Sequence, residues 1–203
     1  MEVYTTEEQQ VEAIKNWWKE NGKAVILGAV VGLGGLYGWR YYQGHLDTSA
    51  ENASDAYNVV VTALASDGAE AAGKAEAFIK DNADTSYAAM TSLQLAKVQA
   101  EAGELAAAAR QLRWVTDNAK DESMQTLAQI RLARVEAQQG NLDAALAELA
   151  KVTSESWAGT VDELRGDFQL KKGDVEAART SYELALQNGA GQVVQMKLDN
   201  LAK

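Results

Sequence analysis

The longest apolar stretch of the sequence runs unbroken from Ala24 to Trp39, with Lys23 before it and Arg40 after it. Its 16 residues would form a helix of roughly 24 Å, whereas the hydrocarbon core of a bilayer is about 30 Å thick. Arg40 can snorkel to the interface, and the two tyrosines that follow it favour the same depth. The pattern therefore predicts a transmembrane helix over residues 24–42.

Two other interpretations of this run stay open. A cleaved signal peptide normally begins with a short basic segment, whereas 23 residues that include five acids precede the run. The sequence "TSA" at residues 48–50 is a weak cleavage site. A buried core helix is the second alternative, although the run is rich in glycine. An uncleaved membrane anchor is the favoured interpretation.

The distribution of positive charge predicts the orientation of the anchor. Lys15, Lys19 and Lys23 precede the run, and a single arginine follows it closely. A Lys/Arg bias keeps that side of a span in the cytoplasm. We therefore expect residues 1–23 to be a cytoplasmic segment and residues 43–203 to lie across the membrane, in a bacterial periplasm or an equivalent space.

The glycines of the run fall on two stripes of the predicted helix. Gly28, Gly32 and Gly35 share one stripe, and Gly34 and Gly38 share another. Both stripes contain the small-xxx-small spacing that lets two helices approach closely in lipid. We expect a helix–helix contact here, with a second copy or with another membrane protein. The alternative is that glycine is simply common in membrane spans.

After about residue 49 the pattern changes to helices separated by glycines, and the sequence repeats itself. Three segments align without a gap: 95–115, 132–152 and 165–185. Each contains one central glycine: Gly103, Gly140 and Gly173. A small residue stands seven positions before each glycine: Ala96, Ala133 and Gly166. This pattern predicts two closely packed helices joined by a glycine-containing turn.

The glycine spacings are 37 and 33, close to the 34-residue period of the tetratricopeptide repeat, which the pattern resembles. The proline that often ends such a repeat is missing, and the first interval has about four extra residues, expected near residues 118–122. The pattern of residues 50–86, with Gly68 near a turn, indicates a degenerate N-terminal capping repeat. The pattern of residues 190–203 indicates a closing helix. The predicted fold is all-α: a single N-terminal transmembrane helix followed by a tetratricopeptide-like solenoid of helical hairpins.

Composition argues against an enzyme. The chain has no cysteine and one histidine, which excludes thiolate chemistry and multi-histidine metal sites. It contains no phosphate loop, no H-E-x-x-H and no Gly-x-Ser-x-Gly motif. The net charge of −10 argues against nucleic acid as the main partner. We expect a non-enzymatic protein without cofactor or metal.

A repeat solenoid offers a binding surface instead. If the first helix of each repeat lines the concave face, spacing back from the turn glycines places an apolar pair and one cation there in each of two repeats. These candidate groove residues are Met90, Leu93 and Lys97, and Leu127, Ile130 and Arg134. Such a surface can hold a segment of another protein. The alternative is that the apolar members belong to the core.

Several short motifs in order suggest a family. They are "NGKA" (21–24), "GWRYY" (38–42), "SLQLA" (92–96), "IRLARVEAQ" (130–138), "SWAGTVDELRGD" (156–167), "KGD" with "AR" (172–179) and "QMKLDNL" (195–201). With these motifs, nearly the whole chain resembles the YfgM family, the ancillary subunit of the bacterial Sec translocon.

The resemblance implies a single-pass protein of the bacterial inner membrane with a periplasmic tetratricopeptide-like domain. It also implies association with the Sec translocon channel and with a PpiD-type periplasmic chaperone, and a role in handing emerging secreted clients to periplasmic chaperones. The family is linked as well, through its cytoplasmic side, to restraint of an envelope-stress response regulator. The resemblance thus leaves two functional expectations, an adaptor and a signalling regulator.

Overall fold

A computed structural model describes the backbone of residues 7–201 and the side chains of residues 9–44 and 51–201. Throughout these residues the secondary structure is helix and turn, without a strand. An apolar N-terminal helix is followed by helical hairpins, as the sequence predicts, and the all-α fold class is confirmed. The chain divides into two compact units, Met1–Asn52 and Ala53–Lys203.

Helix α1 runs from Glu7 to Asp67 and contains a stretch, Gln9–Gly44, that is long and apolar enough to cross a membrane. Large apolar side chains are exposed all along this stretch, for example Ile26, Leu33 and Trp39 at 55%, 63% and 62%. A core helix would bury such side chains to gain hydrophobic free energy. The exposure therefore contradicts the core-helix alternative and fits a helix surrounded by lipid.

The second unit consists of antiparallel hairpins, beginning with the last turns of α1. Its further helices are α2 (Ala72–Asp81), α3 (Ser86–Glu101), α4 (Leu105–Asn118), α5 (Glu122–Gln138), α6 (Leu142–Ala150), α7 (Ala158–Lys171), α8 (Val175–Gln187) and α9 (Gln192–Asn200). Short 3₁₀ turns lie at Gly68–Ala71 and Glu155–Trp157. Helices α3/α4, α5/α6 and α7/α8 form the three repeats, and α9 packs against α8.

The turn glycines are required by backbone conformation. Gly103, Gly140 and Gly173 have φ values of +79°, +88° and +87°, a region that L-residues with a side chain rarely adopt. The N–H after the first turn glycine, that of Glu104, donates to the carbonyl of Gln99 at 2.8 Å. The equivalent bonds close the other two turns at 2.9 Å and 3.0 Å. Each first helix therefore ends in a Schellman-type cap that reverses the chain.

Small residues let the two helices of a repeat approach each other. Ala96 and Leu112 lie in one core cluster, and the equivalent Ala133 and Leu149 lie in the next. In the third repeat a Cβ on Gly166 would lie 2.5 Å from the ring of Tyr182. Because interiors are close-packed, the size of the small residue fixes how near the helices come.

The extra residues of the first glycine interval lengthen helices rather than the linker. Helices α4 and α5 have 14 and 17 residues, whereas α6 and α7 have 9 and 14. The linker between α4 and α5 is short, at residues 119–121. Each first helix also contacts the first helix of the next repeat, α3 with α5 and α5 with α7. These three helices therefore line one face of the domain.

We predict that Gly166→Ala lowers the free energy of unfolding by about 1–3 kcal/mol, because overpacking a dense interior costs that much. The Tyr182 ring cannot simply turn away, since its hydroxyl donates to Asp167 at 2.8 Å. Urea unfolding of the full chain in detergent measures the effect. Gly73→Ala in α2 is the control, because a Cβ there meets no atom within 4 Å. Equal stability of wild type and G166A would contradict the packing argument.

Candidate partner-binding groove

Two adjacent depressions lie along the face formed by α3, α5 and α7, and together they are called the inner groove. The first has a volume of about 390 Å³. It is lined by Ala96, Lys97, Ala100, Glu101, Leu112, Arg131, Arg134, Val135 and Gln138. The second is lined by Arg134, Ala137, Gln138, Glu163, Leu164, Asp167, Phe168 and Lys171. Arg134 and Gln138 belong to both, so α5 forms the ridge between the two depressions.

The six groove residues predicted from sequence fall into three pairs with different surroundings in the structure. Lys97 and Arg134 line the groove together. Met90 is exposed at 37% and Leu127 is partly buried, but neither lines either of the two depressions of the inner groove. The remaining two are Leu93, 8% exposed, and Ile130, 2% exposed, which lie in two different core clusters. Both side chains pack in the core and leave little surface for a partner.

Arg131 was not among the predicted residues, although it lines the first depression. It lies three residues before Arg134 on α5, so the two side chains are neighbours on one helix face. The three-residue spacing of the two arginines is the sequence feature that could have placed Arg131 in the groove. Arg131 is half-buried and Arg134 is exposed. Neither arginine makes a hydrogen bond or ion pair with any residue that the structure describes.

The other cations of the groove already have partners. Lys97 Nζ lies 3.8 Å from Glu101, in an exposed pair one helical turn apart. Such pairs contribute little, typically below about 1 kcal/mol. Lys171 Nζ donates to the carbonyl of Ala137 at 2.7 Å and so ties α7 to α5. The floor between these charges is apolar and includes Ala100 and Val135.

The acids of the second depression are held by the C-terminal helix. Lys197 Nζ of α9 donates to both carboxylate oxygens of Asp167, at 2.7 and 2.8 Å, and to Glu163 at 2.8 Å. It also lies 5.9 Å from the ring centroid of Tyr182. Sequence reasoning missed this cluster, because Lys197 lies 30 and 34 residues along the chain from its two carboxylate partners.

The cluster shifts two pKa values upward. Burial lowers the pKa of Lys197, but hydrogen bonds to Asp167 and Glu163, together with their negative charges, outweigh burial and leave that pKa above its ordinary 10.5. Burial is also the largest cause for Tyr182, and there it raises the pKa. The hydrogen bond to Asp167 and the nearby carboxylate charges raise it further. In the folded state both groups therefore hold their protons more strongly.

The glycines of the apolar helix have open faces. A Cβ placed on Gly28, Gly32, Gly34, Gly35 or Gly38 would meet nothing within 4 Å.

Among the side chains of 9–44 and 51–201, no group of three or more His, Asp or Glu could hold a metal ion.

Comparison with known proteins gives matches along the whole chain. Residues 15–203 match the family model described as "Tetratricopeptide repeat-like domain". The chain is 39% identical to the ancillary SecYEG translocon subunit of Escherichia coli, covering 100% of both chains. It is 37% identical to the subunit of the same name in Haemophilus influenzae, covering 96% of this chain and 97% of that one. The protein of that name in Aggregatibacter actinomycetemcomitans is 36% identical, with 98% and 100% covered.

We predict that the cluster around Lys197 makes stability fall at alkaline pH. A group with a raised folded pKa contributes stability that is present below its unfolded pKa and lost as pH rises through the folded pKa. The unfolded values are near 10.0 for Tyr182 and 10.5 for Lys197. Urea midpoints of the full chain should therefore be insensitive to this cluster up to about pH 9 and fall above about pH 10.

Lys197→Met should make that alkaline fall shallower, because one of the two shifted groups is gone. Lys151→Met is the matched control, since Lys151 pairs with Glu148 at 2.9 Å but is 59% exposed. If K197M and K151M give the same pH profile, the cluster does not couple protonation to folding.

Proposed function

Because the chain belongs to the YfgM family of ancillary SecYEG translocon subunits, we propose that it is a non-enzymatic, membrane-anchored adaptor of the bacterial Sec translocon. The observation that carries the proposal is that one chain joins an exposed apolar helix to a helical-repeat domain with an open groove. The similarity to named translocon subunits covers both of these parts. A chain of this design can bind a membrane partner and a second protein at separate sites.

The glycine stripes of the apolar helix are the proposed contact with the translocon channel. Without a hydrophobic driving force inside lipid, helices associate where small residues allow close backbone packing. Gly28 and Gly32 offer such a surface, and nothing in the described chain occupies it. The partner in this proposal is a helix of the SecYEG channel rather than a second copy.

The repeat domain is the proposed contact with chaperones and clients. The lysines before the span favour a cytoplasmic N-terminus in the inner membrane, which would place the repeats in the periplasm. There the inner groove would bind a PpiD-type chaperone or a client emerging from the channel, and so promote transfer of translocated proteins to periplasmic chaperones. Its apolar floor and charged walls suit a protein segment.

A second candidate function concerns the segment before the span. In its described part, residues 9–23, four large apolar side chains are exposed on a helix: Val11, Ile14, Trp17 and Trp18. An exposed apolar stripe can dock on a groove of another protein. On this alternative, the cytoplasmic segment would bind and restrain an envelope-stress response regulator.

We predict that Gly28→Leu/Gly32→Leu reduces co-purification with SecYEG at least about tenfold, because bulky side chains keep helix backbones apart. The chain itself should stay folded, since these positions touch nothing within it. Affinity capture from detergent-solubilised membranes, with quantification of the channel subunits, measures the loss. The control is Leu33→Phe, which adds bulk on a helix face away from both glycine stripes. Undiminished co-purification of the double variant would rule out the glycine contact.

Val11→Ser/Ile14→Ser separates the adaptor from the regulator. The three lysines remain in this variant, so the orientation of the span is preserved. The adaptor proposal predicts full complementation of a deletion strain in both secretion and envelope-stress readouts. Gln9→Ser/Gln10→Ser is the control for altered helix propensity. Loss of the stress readout in the first variant alone would favour the regulator.

A further inference from the structure

The two arginines of the groove stand out among the cations of the repeat domain. Within the described residues 53–201, most Lys and Arg side chains make a hydrogen bond or ion pair. The exceptions are Lys74, Lys80, Arg131 and Arg134. The two lysines are exposed on α2. The two arginines share one depression.

This arrangement is unfavourable for the isolated chain. Like charges three residues apart on a helix repel each other, and Arg131 is in addition half-buried, which costs solvation. The chain has 29 Asp and Glu against 19 Lys and Arg, so carboxylates are plentiful. None of those described pairs with either arginine. The structure therefore keeps two guanidinium groups available at the groove.

The acids that line the groove do not compensate these charges. Glu101 pairs with Lys97, and Glu163 and Asp167 both bind Lys197. The charge left unmatched in the groove is therefore positive, although the chain as a whole carries −10. A guanidinium presents a planar fork of donors that fits a carboxylate, often bidentately.

The rest of the groove suits a peptide. Next to the arginines lies an apolar floor that includes Ala100, Leu112 and Val135. Gln138, shared by both depressions, is exposed and carries an amide that can donate to and accept from a peptide backbone. Nucleic acid also carries negative charge, but the acidic chain around the groove would repel its extended phosphate backbone.

Building on the proposed adaptor function, we propose that the inner groove binds an acidic segment of another protein, with carboxylates on Arg131 and Arg134 and apolar side chains on the adjacent floor. The partner class is thus a protein segment that mixes Asp or Glu with apolar residues. A neutral or basic segment of equal hydrophobicity binds less well, because it leaves both guanidinium groups unpaired.

Fluorescence anisotropy with defined peptides tests this proposal on the full chain in neutral detergent. Three labelled dodecapeptides share the same leucines and serines and differ in carrying Glu, Gln or Lys at the remaining positions. Blocked termini remove other charges. The Glu peptide should bind at least about tenfold more tightly than the Gln peptide, since charge-assisted bonds are the stronger ones. Its affinity should fall as salt rises.

The double variant Arg131→Gln/Arg134→Gln should weaken binding of the Glu peptide at least about tenfold. The matched control is Lys74→Gln/Arg110→Gln, which removes the same charge from exposed side chains outside the groove. Thermal unfolding checks that both variants remain folded. Equal loss in the control, equal binding of Glu and Gln peptides, or no binding of the Glu peptide would each overturn the proposal. Tighter binding of a labelled oligothymidylate than of the Glu peptide would overturn it in favour of nucleic acid.

Co-purification with SecYEG, measured on the same proteins, distinguishes this inference from the adaptor proposal. The arginine variant should retain the translocon, because the glycine contact is unchanged. If the Glu peptide fails to bind but SecYEG is retained, the groove inference is wrong and the adaptor stands. If wild type fails to retain SecYEG, the adaptor proposal is wrong whatever the peptides do.

Discussion

The close approach of two helices within each hairpin is the constraint on which the repeat domain depends. A small residue must face a large one, as Gly166 faces Tyr182, and a glycine at positive φ must reverse the chain, as Gly140 does. These two requirements fix the hairpin geometry and so the way one hairpin packs on the next. The first helices then lie side by side, and their shared face becomes the inner groove.

In that arrangement, some residues of the first helices pack in the core and others line the groove. Some faces of α5 supply the core, where Ile130 and Leu132 are almost fully buried, and one face supplies the groove, where Arg134 is exposed. At the end of the stack, α9 covers the last hairpin, and Lys197 binds two carboxylates there. Helix α9 therefore both covers the core and neutralises the acids of the groove. Because these acids are already paired, the positive charges of Arg131 and Arg134 have no carboxylate partner among the described residues.

Much of the fold could be predicted from sequence, because local rules set it. Length and apolar composition predict a membrane span at residues 24–42, which lies inside the longer helix α1, and the spacing of Gly103, Gly140 and Gly173 marks the hairpins. The residues that line the groove were harder to predict from sequence, because α5 packs against neighbours on more than one side. Helical periodicity does not say which of its apolar residues face the next hairpin. Ile130 and Arg131 are neighbours in sequence, yet one is core and the other is groove. Ion pairs between distant residues, such as Lys197 with Asp167, leave no local pattern.

The chain is proposed to carry two separate binding surfaces, the glycine-lined apolar helix and the inner groove. We propose that both surfaces can be occupied at once. The most direct test is size-exclusion chromatography of the full chain with purified SecYEG and the labelled Glu peptide in detergent. The peptide should elute with the SecYEG-bound chain. Peptide that binds the chain alone but is released when SecYEG binds would contradict this proposal.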